Sequence, residues 1–331
     1  MIPAAAQSRF RLIEGEQLQS ESFAEAVEAG LSRDPKKLDC RFFYDETGSL
    51  LFERICELPE YYLTRSEREI LVERSREIAR RFPRDTILVE LGSGSSAKTD
   101  LLISAWIAEH GSLRYEPIDI SEEILRESSL QLLERHRRLT VHAIAGHFED
   151  GLRRIESAES GAKLVIWLGS TIGNLTRSQA IAFLRNVRGS LSERDGLLIG
   201  IDLRKDVGIL ENAYNDAAGV TADFNLNLLD RINAELGGHF DRARFRHEAK
   251  FNSESGSIQM FLVSEESQEV AIDEIGRTFS FGAGERIHTE NSHKYSIDEI
   301  DSLFHEARFA LAERWFDSNG LFSLNLARPL P

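Results

Sequence analysis

The chain has 331 residues, and 40 Lys and Arg residues against 55 Asp and Glu residues give it a net charge of −15. Nucleic acids and anionic membranes are bound largely through clustered cationic side chains, so this balance disfavours both and suits small or cationic ligands. No stretch of the sequence approaches the ~20 apolar residues of a membrane-spanning helix. The length suggests two domains, or one domain enlarged by an insertion.

The N-terminal sequence MIPAAAQSRFRLIEGEQ lacks the charged-then-apolar order of a secretory signal, and we expect a cytoplasmic location. The two cysteines, Cys40 and Cys56, are too few for a disulfide scaffold and form no cluster with metal-ligand spacing. We expect both to be reduced and packed as small hydrophobic side chains, and we expect no metal.

The residues before Pro83 predict helices. Ser22–Leu31 is the first, and Tyr44–Glu57 forms a loop entering a second, with Gly48 as a turn residue. Aliphatic residues at helical spacing predict a third helix over Ser66–Arg81, which Pro83 closes.

After Pro83 the pattern changes to strands that alternate with helical segments. Five short β-rich runs predict strands at Thr86–Glu90, Tyr115–Ile120, Thr140–Ala145, Leu164–Leu168 and Leu197–Leu203. This alternation is typical of a parallel sheet covered by helices on both faces.

The C-terminal end predicts a closing helix and a hairpin. Ser296–Glu299 matches a capping box that opens a helix. Two β-like runs, Phe309–Asp317 and Leu321–Arg328, are separated by a Ser-Asn-Gly turn. Because these elements arrive about ninety residues after the fifth strand, we predict an insertion between roughly residues 204 and 292.

A glycine turn follows the first predicted strand. The segment LGSGSSAKT places Gly92 and Gly94 before a helix, where backbone N–H groups can approach a polar ligand closely. Ala97 stands at the third glycine of a dinucleotide fingerprint, which the looser pattern permits, so NAD stays open. The glycine spacing is wrong for a phosphate-binding P-loop even though Lys98 follows.

Asp119 ends the second predicted strand, where a carboxylate would accept hydrogen bonds from both hydroxyls of a ribose. The terminal hairpin favours S-adenosylmethionine over NAD, because an added antiparallel strand is typical of class I methyltransferases; this step is an analogy between folds. We therefore predict an α/β fold, a class I methyltransferase Rossmann-like sheet with a C-terminal β-hairpin.

Several segments together resemble the histidine-specific Nα-methyltransferases of ergothioneine biosynthesis. They are FYDETGSLLFERICELPEYYLTRSE (Phe43–Glu67), LVELGSGSSAKT (Leu88–Thr99), PIDIS (Pro117–Ser121), LGSTIGN (Leu168–Asn174), AYNDAAGVTADFNLN (Ala213–Asn227) and RIHTENSHKYS (Arg286–Ser296). The tyrosine-rich first segment and the fifth segment are specific to this family, whereas the glycine turn is common to many.

The resemblance implies an S-adenosylmethionine site. Its residues would be Gly92, Gly94, Lys98, Asp119, His147 and Phe148. The family has an acidic residue in a Gly-Asp-Phe sequence that receives the adenine amino group, whereas this chain has His147 there. A neutral ring nitrogen can still accept that hydrogen bond, and Glu149 or Asp150 could substitute.

The resemblance also implies a histidine site. Its binding residues would be Tyr61, Asn174, Tyr214, Met260, Glu290 and Ser292. Asn174 and Tyr214 would bind the α-carboxylate, and Glu290 with Ser292 would bind the imidazole that Met260 lines.

The catalytic residues implied by the resemblance are aromatic. Tyr44 and Phe52 would form the wall around the reacting amine, with Tyr61 bonding the substrate beside them, and Tyr44 would assist proton loss. In the inserted block, we expect Asp216 and Asn225 to brace the substrate loop.

The predicted function is S-adenosylmethionine-dependent Nα-methylation of L-histidine, up to trimethylhistidine (hercynine), as the first step of ergothioneine biosynthesis. Two alternatives stay open: methylation of another amino acid or amine on the same fold, and a non-catalytic cofactor-binding module. We predict a methyltransferase domain of residues 66–203 and 294–331 and a substrate domain of residues 12–65 and 204–293, in a monomer.

Overall fold

The computed structural model describes residues 8–15, 21–157 and 161–331. In chain order, the strands are β1 (Phe10–Glu14), β2 (Lys36–Lys37), β3 (Ile87–Leu91), β4 (Leu113–Asp119), β5 (Leu139–Ala145), β6 (Lys163–Trp167), β7 (Gly196–Asp202), β8 (Phe245–Asn252), β9 (Ser257–Ser264), β10 (Gln268–Ile272), β11 (Arg277–Phe281), β12 (Arg286–His293), β13 (Phe309–Phe316) and β14 (Phe322–Pro329).

The α-helices surround these strands and connect them. In chain order they are α1 (Phe23–Leu31), α2 (Glu46–Glu57), α3 (Tyr62–Arg80), α4 (Thr99–His110), α5 (Glu122–Arg135), α6 (Phe148–Ser157), α7 (Arg177–Gly189), α8 (Val207–Asn212), α9 (Val220–Leu236) and α10 (Ile297–Glu306). Across the described residues, none of the helices has both the length and the apolar character needed to cross a bilayer.

The large sheet has eight strands in the order β1-β5-β4-β3-β6-β7-β14-β13. The strands from β1 to β7 in this order pair in parallel, and β14 pairs antiparallel with both β7 and β13. This confirms the predicted Rossmann-like sheet with its C-terminal hairpin. The chain runs to one side after β3 and returns to the other side at β6, and ligands of open α/β sheets bind at such a reversal.

The central strands are apolar along their length because helices cover both faces of the sheet. Every residue of β3, β6 and β7 is buried. One face packs on α3, α4 and α5, with Trp106 fully buried, and the other packs on α7 and α10, with Phe304 nearly so.

Two features of the N-terminal part differ from the prediction. Strand β1 adds a sixth parallel strand and pairs Phe10 with Val141. This strand was not predicted from the sequence, because its short sequence has no turn or helix signal beside it. Gly48 lies inside α2, not in a turn, and a Cβ there would sit 1.7 Å from the Phe43 carbonyl oxygen. That glycine is needed for close approach of the backbone.

A second, smaller sheet has the order β2-β12-β9-β8, and β10 pairs with β11 in a separate hairpin. Its hydrophobic core joins residues from the N-terminal segment, such as Val27 and Phe43, with residues from the insertion, such as Leu228 and Met260. This shared core joins the two segments assigned to the substrate domain, and the division of the chain into two domains stays a prediction.

The small sheet meets the large one at the carboxyl ends of the parallel strands. The Tyr295 N–H donates to the Asp202 carbonyl at 3.1 Å, and Nδ1 of His293 donates to the Gly173 carbonyl at 2.9 Å. These bonds place β12 over the reversal point of the large sheet.

Candidate active site

The glycine turn joins the ends of β3 and β4 through backbone hydrogen bonds. Gly92 and Gly94 have φ of 69° and 48°, in the left-handed region that favours glycine. The Gly94 N–H donates to Asp119 Oδ2 at 3.0 Å, and the Ser121 N–H donates to Asp119 Oδ1 at 3.1 Å. Burial raises the pKa of Asp119, and these two bonds oppose that shift.

The turn leaves a cradle for a ligand. Among the described residues outside its own chain neighbours, no atom lies within 4 Å of the point where a side chain at Gly94 would begin, and at Gly92 the Phe148 ring is 3.4 Å from that point. Ser93 has a buried hydroxyl without a hydrogen-bond partner among the described residues. Backbone donors, a half-buried carboxylate and a hydroxyl without a partner among the described residues fit a ligand with a sugar diol.

His147 and Phe148 lie beside this cradle. Phe148 begins α6 and packs its ring 6.2 Å from Trp167 and 5.7 Å from Phe183, between centroids. His147 is partly buried. The side chains of Glu149 and Asp150, the proposed substitutes for the family's acidic residue, lie outside what the structure describes.

Lys98 forms an ion pair with Glu67 of α3, a fully buried carboxylate. Both oxygens of Glu67 also accept from the Gly169 N–H, each at 2.9 Å. Glu67 therefore links the lysine after the glycine turn to the loop after β6, a role that the sequence did not indicate.

Glu90, the residue that ends the apolar part of β3, is a second buried carboxylate that the sequence reasoning missed. It accepts from the Thr99 hydroxyl at 2.6 Å and from the Tyr115 hydroxyl. Burial raises its pKa to about 7, against the effect of these two hydrogen bonds. The bonds tie β3 to the start of α4 and to β4.

An aromatic cluster brings together the predicted catalytic residues. The Tyr44 and Phe52 rings lie 5.6 Å apart, Phe52 and Tyr61 6.4 Å apart, and Tyr61 and Tyr214 6.1 Å apart, between centroids. Phe224 of α9, not assigned from the sequence, completes the cluster at 5.8 Å from Tyr44 and 6.0 Å from Phe52. Four of these rings are at least partly buried, whereas Tyr44 is 40% exposed.

Glu290 and Ser292 lie on one face of β12. A β-bulge interrupts the pairing of β12 with β9, so that His288 is opposite Phe261 while Glu290 is opposite the buried Met260. The extra residue puts His288 on the outer face of the sheet, where its ring packs 5.3 Å from Phe261. Residues two apart on a strand share a face, so Glu290 and Ser292 project together toward the inside.

The Glu290 carboxylate has no hydrogen-bond donor within reach among the described residues. Burial raises its pKa to about 7, and the positive charge of Lys294 acts in the opposite direction. Burial also raises the pKa of Tyr214, and the charge of Glu290 adds to that rise, which indicates that the two side chains are near each other. A half-buried carboxylate without a hydrogen-bond partner among the described residues is suited to a ligand that donates.

Ser292 belongs to a buried polar network. Its Oγ accepts from the Tyr214 hydroxyl at 2.8 Å and from Lys294 Nζ at 2.9 Å. Lys294 also donates to the Tyr214 oxygen at 3.0 Å and pairs with Asp202 Oδ2 at 2.7 Å. The Ser292 proton itself has no acceptor in the part of the chain that the structure describes.

Asn174 reaches the same region on the loop after β6. Gly169 and Ser170 both have positive φ, 76° and 57°, which turns the chain into the short 3₁₀ helix Thr171–Asn174. A Cβ on Gly173 would lie 3.5 Å from Ser292 Oγ, so the residue before Asn174 passes directly beside β12.

Asp216 and Asn225 hold α9 in place. The two Asp216 oxygens accept from the N–H groups of Val220 and Thr221 at 2.9 and 2.8 Å. The Asn225 amide donates to the Phe261 carbonyl at 3.0 Å. These bonds fix the helix that carries Phe224, and the predicted role of both residues in bracing the substrate loop stays a prediction.

Residues 23–329 match the family model described as histidine-specific, SAM-dependent methyltransferases. The chain belongs to this family. It is 41% identical to the histidine N-alpha-methyltransferase of Mycolicibacterium smegmatis over 94% of this chain and 97% of that protein, and 41% identical to that of Mycobacterium tuberculosis over 91% and 93%. It is 33% identical to ergothioneine biosynthesis protein 1 of Neurospora crassa over 86% of this chain and 32% of that protein.

Membership of the histidine-specific methyltransferase family confirms the resemblance seen in the sequence, and the chain is an S-adenosylmethionine-dependent N-methyltransferase. The cradle at the glycine turn is the place that fits this cofactor, although the individual contacts stay predictions. Among the described residues, no group of three or more His, Cys, Asp or Glu side chains is arranged to hold a metal ion.

Proposed function

We propose that this methyltransferase transfers methyl groups to the α-amino nitrogen of L-histidine, up to the trimethylated product, as the first step of ergothioneine biosynthesis. The observation that carries this proposal is the pair on β12: within the described part of the chain, Glu290 offers an acceptor and Ser292 a donor without partners on the same face. A neutral imidazole presents one N–H donor and one acceptor nitrogen. It satisfies both groups at once.

The same pair disfavours other side chains. A phenyl ring would leave Glu290 without a donor and Ser292 without an acceptor, and an indole would satisfy only one of them. A buried polar group left unpaired costs about 1–3 kcal/mol, and more when it is charged. A site built this way rejects an unmatched ligand strongly.

At the other end of the ligand, Asn174 and Tyr214 are neutral donors suited to the α-carboxylate. Tyr214 is joined to Ser292 by a hydrogen bond of 2.8 Å, so the residues proposed for the carboxylate and for the imidazole are in direct contact. This contact supports a compact ligand that spans both, as a free amino acid does.

The cofactor supplies an electrophilic methyl group on a sulfonium, and the chain has to position the attacking amine in line with it. Tyrosine hydroxyls ionise near pH 10, so Tyr44 is a neutral phenol at pH 7 and assists as a hydrogen-bond acceptor. Each methylation removes an N–H donor, and the rings of Tyr44, Phe52 and Tyr61 can hold the resulting cation by cation–π interactions.

We also propose that the protein acts as a cytoplasmic monomer. Both of its ligands are small molecules, and the reaction needs neither nucleic acid nor a membrane.

The direct test is mass spectrometry of L-histidine incubated with the protein and S-adenosylmethionine. We expect products heavier by one, two and three methyl groups. A protein that binds the cofactor in calorimetry yet yields no methylated histidine would be a non-catalytic module. Faster turnover of another amino acid in a panel with labelled cofactor would assign the chain to a different substrate.

Replacement of Glu290 by Ala tests the imidazole contact. We expect the KM for L-histidine to rise about 30- to 100-fold, the equivalent of a lost hydrogen bond to a charged group, while the Kd of S-adenosylmethionine stays the same. Glu269→Ala, at an exposed position of β10, is the matched control and should change neither constant. If Glu290→Ala weakened the binding of L-histidine and of S-adenosylmethionine equally, the assignment of Glu290 to the imidazole would be contradicted.

A further inference from the structure

Lys294, which directly follows β12, is a fully buried cation without a role in the function proposed above. Its side chain is 0% exposed, and its three N–H groups point at three oxygens: Asp202 Oδ2 at 2.7 Å, the Tyr214 hydroxyl at 3.0 Å and Ser292 Oγ at 2.9 Å. Burial alone would lower the pKa of Lys294, but the charge of Asp202 outweighs it and raises that pKa. The lysine therefore stays charged, and it can only donate.

This arrangement fixes where the two hydroxyl protons go. Each hydroxyl oxygen already accepts from Lys294, so the proton of each has to be donated elsewhere. In the structure Tyr214 donates to Ser292 at 2.8 Å, and the Ser292 proton has no acceptor among the described residues. A ligand that enters this region meets a Ser292 hydroxyl that is oriented to donate.

We propose that Lys294 is a positioning residue for the substrate: together with Tyr214 it fills the acceptor sites of the Ser292 hydroxyl and so directs the Ser292 proton toward the bound amino acid. The inference rests on the proposed function, since it assigns the Ser292 hydroxyl to the imidazole of L-histidine. Without the lysine, Ser292 could turn its proton to the Tyr214 oxygen and present a lone pair to the ligand.

Lys205 offers a matched control on the same carboxylate. It pairs with Asp202 and donates to the Tyr62 hydroxyl at 2.5 Å, but it contacts neither Tyr214 nor Ser292. Lys205→Met thus removes one positive charge from Asp202 and leaves the two substrate hydroxyls with their lysine.

The experiment is a double-mutant cycle on the binding of L-histidine, measured by calorimetry in the presence of S-adenosylhomocysteine, which cannot donate a methyl group. We expect Lys294→Met to raise the Kd about 30-fold in the wild type but less than about 3-fold in a Tyr214→Phe, Ser292→Ala background, because the lysine acts through those hydroxyls. Lys205→Met should change the Kd less than about 3-fold in both backgrounds. The Kd of S-adenosylhomocysteine alone should not change in any variant.

The positioning role would be overturned if Lys294→Met raised the Kd of L-histidine by the same factor in both backgrounds. It would also be overturned if Lys294→Met and Lys205→Met raised that Kd equally. If Lys294→Met does not fold, the double variant Asp202→Asn, Lys294→Met removes the buried pair together and gives the same comparison of backgrounds. A wild-type protein that neither binds nor methylates L-histidine would refute the proposed function itself, which is a separate outcome from either of these.

Discussion

The cofactor cradle and the substrate face of β12 differ in how their polar groups are satisfied. In the cradle, Asp119 is already bonded to Gly94 and Ser121, and Lys98 is paired with Glu67. On β12, the Glu290 carboxylate and the Ser292 proton have no partner among the described residues. Apart from the Ser93 hydroxyl, the polar groups of the cradle named above are thus satisfied within the chain, whereas selectivity lies in groups on β12 that only the right ligand can satisfy.

The two regions also differ in how the chain builds them. The cradle forms at the carboxyl edge of neighbouring parallel strands, where residues close in sequence meet. The substrate side draws on α2, the loop after β6, α9 and β12, which are far apart in sequence. We expect substitutions on the substrate side to change the binding of histidine alone. Glu67 should be the exception, because a substitution there should change the binding of both ligands.

Glu67→Ala should have the largest effect, because it removes the partner of Lys98 and the acceptor of the Gly169 N–H together. Loss of one member of a buried pair costs about 3–5 kcal/mol, and the partial exposure of Lys98 reduces this to about 2–3 kcal/mol in unfolding free energy. We expect weaker binding of both cofactor and histidine, measured by calorimetry alongside urea unfolding.

Glu73→Ala is the control for that variant, since Glu73 lies on the exposed side of the same helix α3. Surface substitutions of this kind change stability by less than about 0.5 kcal/mol. If Glu67→Ala weakened cofactor binding and left histidine binding intact, the two regions would be independent even at this shared residue.

The pH dependence of histidine binding should sharpen the contrast, because the relevant group lies on the substrate side. With a Glu290 pKa of about 7, the carboxylate form that accepts the imidazole N–H is lost as the pH falls. We expect a fall from about pH 8 to about pH 6 to raise the KM for histidine roughly tenfold more in the wild type than in Glu290→Gln. The KM of the cofactor serves as the internal reference.

Protonation of Glu290 has the opposite effect on the stability of the folded protein. The pKa of Glu290 is raised from its ordinary 4.5, so the protonated form favours the folded state. That contribution to stability is complete below about pH 4.5 and is lost as the pH rises through about 7. Parallel pH profiles for the wild type and Glu290→Gln would show that another group controls binding.

His147→Asp should have the smallest effect and should act on the cofactor alone. A carboxylate accepts the adenine amino group with a fixed charge, whereas a neutral ring nitrogen does not, and a partly exposed hydrogen bond gains little. We expect the Kd of S-adenosylmethionine to fall about 3-fold in calorimetry, with the KM for histidine unchanged. Weaker cofactor binding in this variant would mean that the histidine suits the site better than the family's acidic residue.

The sequence predicted the large sheet well because its signals are local. The strand before Gly92, the capping box at Ser296 and the terminal hairpin lie within a residue or two of the predicted positions. Strand β1 was missed because FRLIE is short and its partner β5 is about 130 residues away. Local patterns carry no information about such pairing.

The site was predictable only in part, and mainly through the family resemblance. Alternation along β12 would put His288 on the same face as Glu290 and Ser292, and only the bulge, which the sequence does not reveal, separates them. Glu67 and Lys294 lie in segments that resemble the family, yet nothing in their spacing indicates burial. Their roles follow from contacts with residues that are distant in sequence.

The pairing of β2 with β12 has a consequence for how the protein is made. Lys36 is opposite Ile287 in this parallel pair. Strand β2 therefore cannot pair until a partner about 250 residues later in the chain has been synthesised. Contacts this distant in sequence form slowly because a long loop has to close first. The strands β3 to β7 can pair as they emerge, so the histidine pocket should assemble after this part of the large sheet.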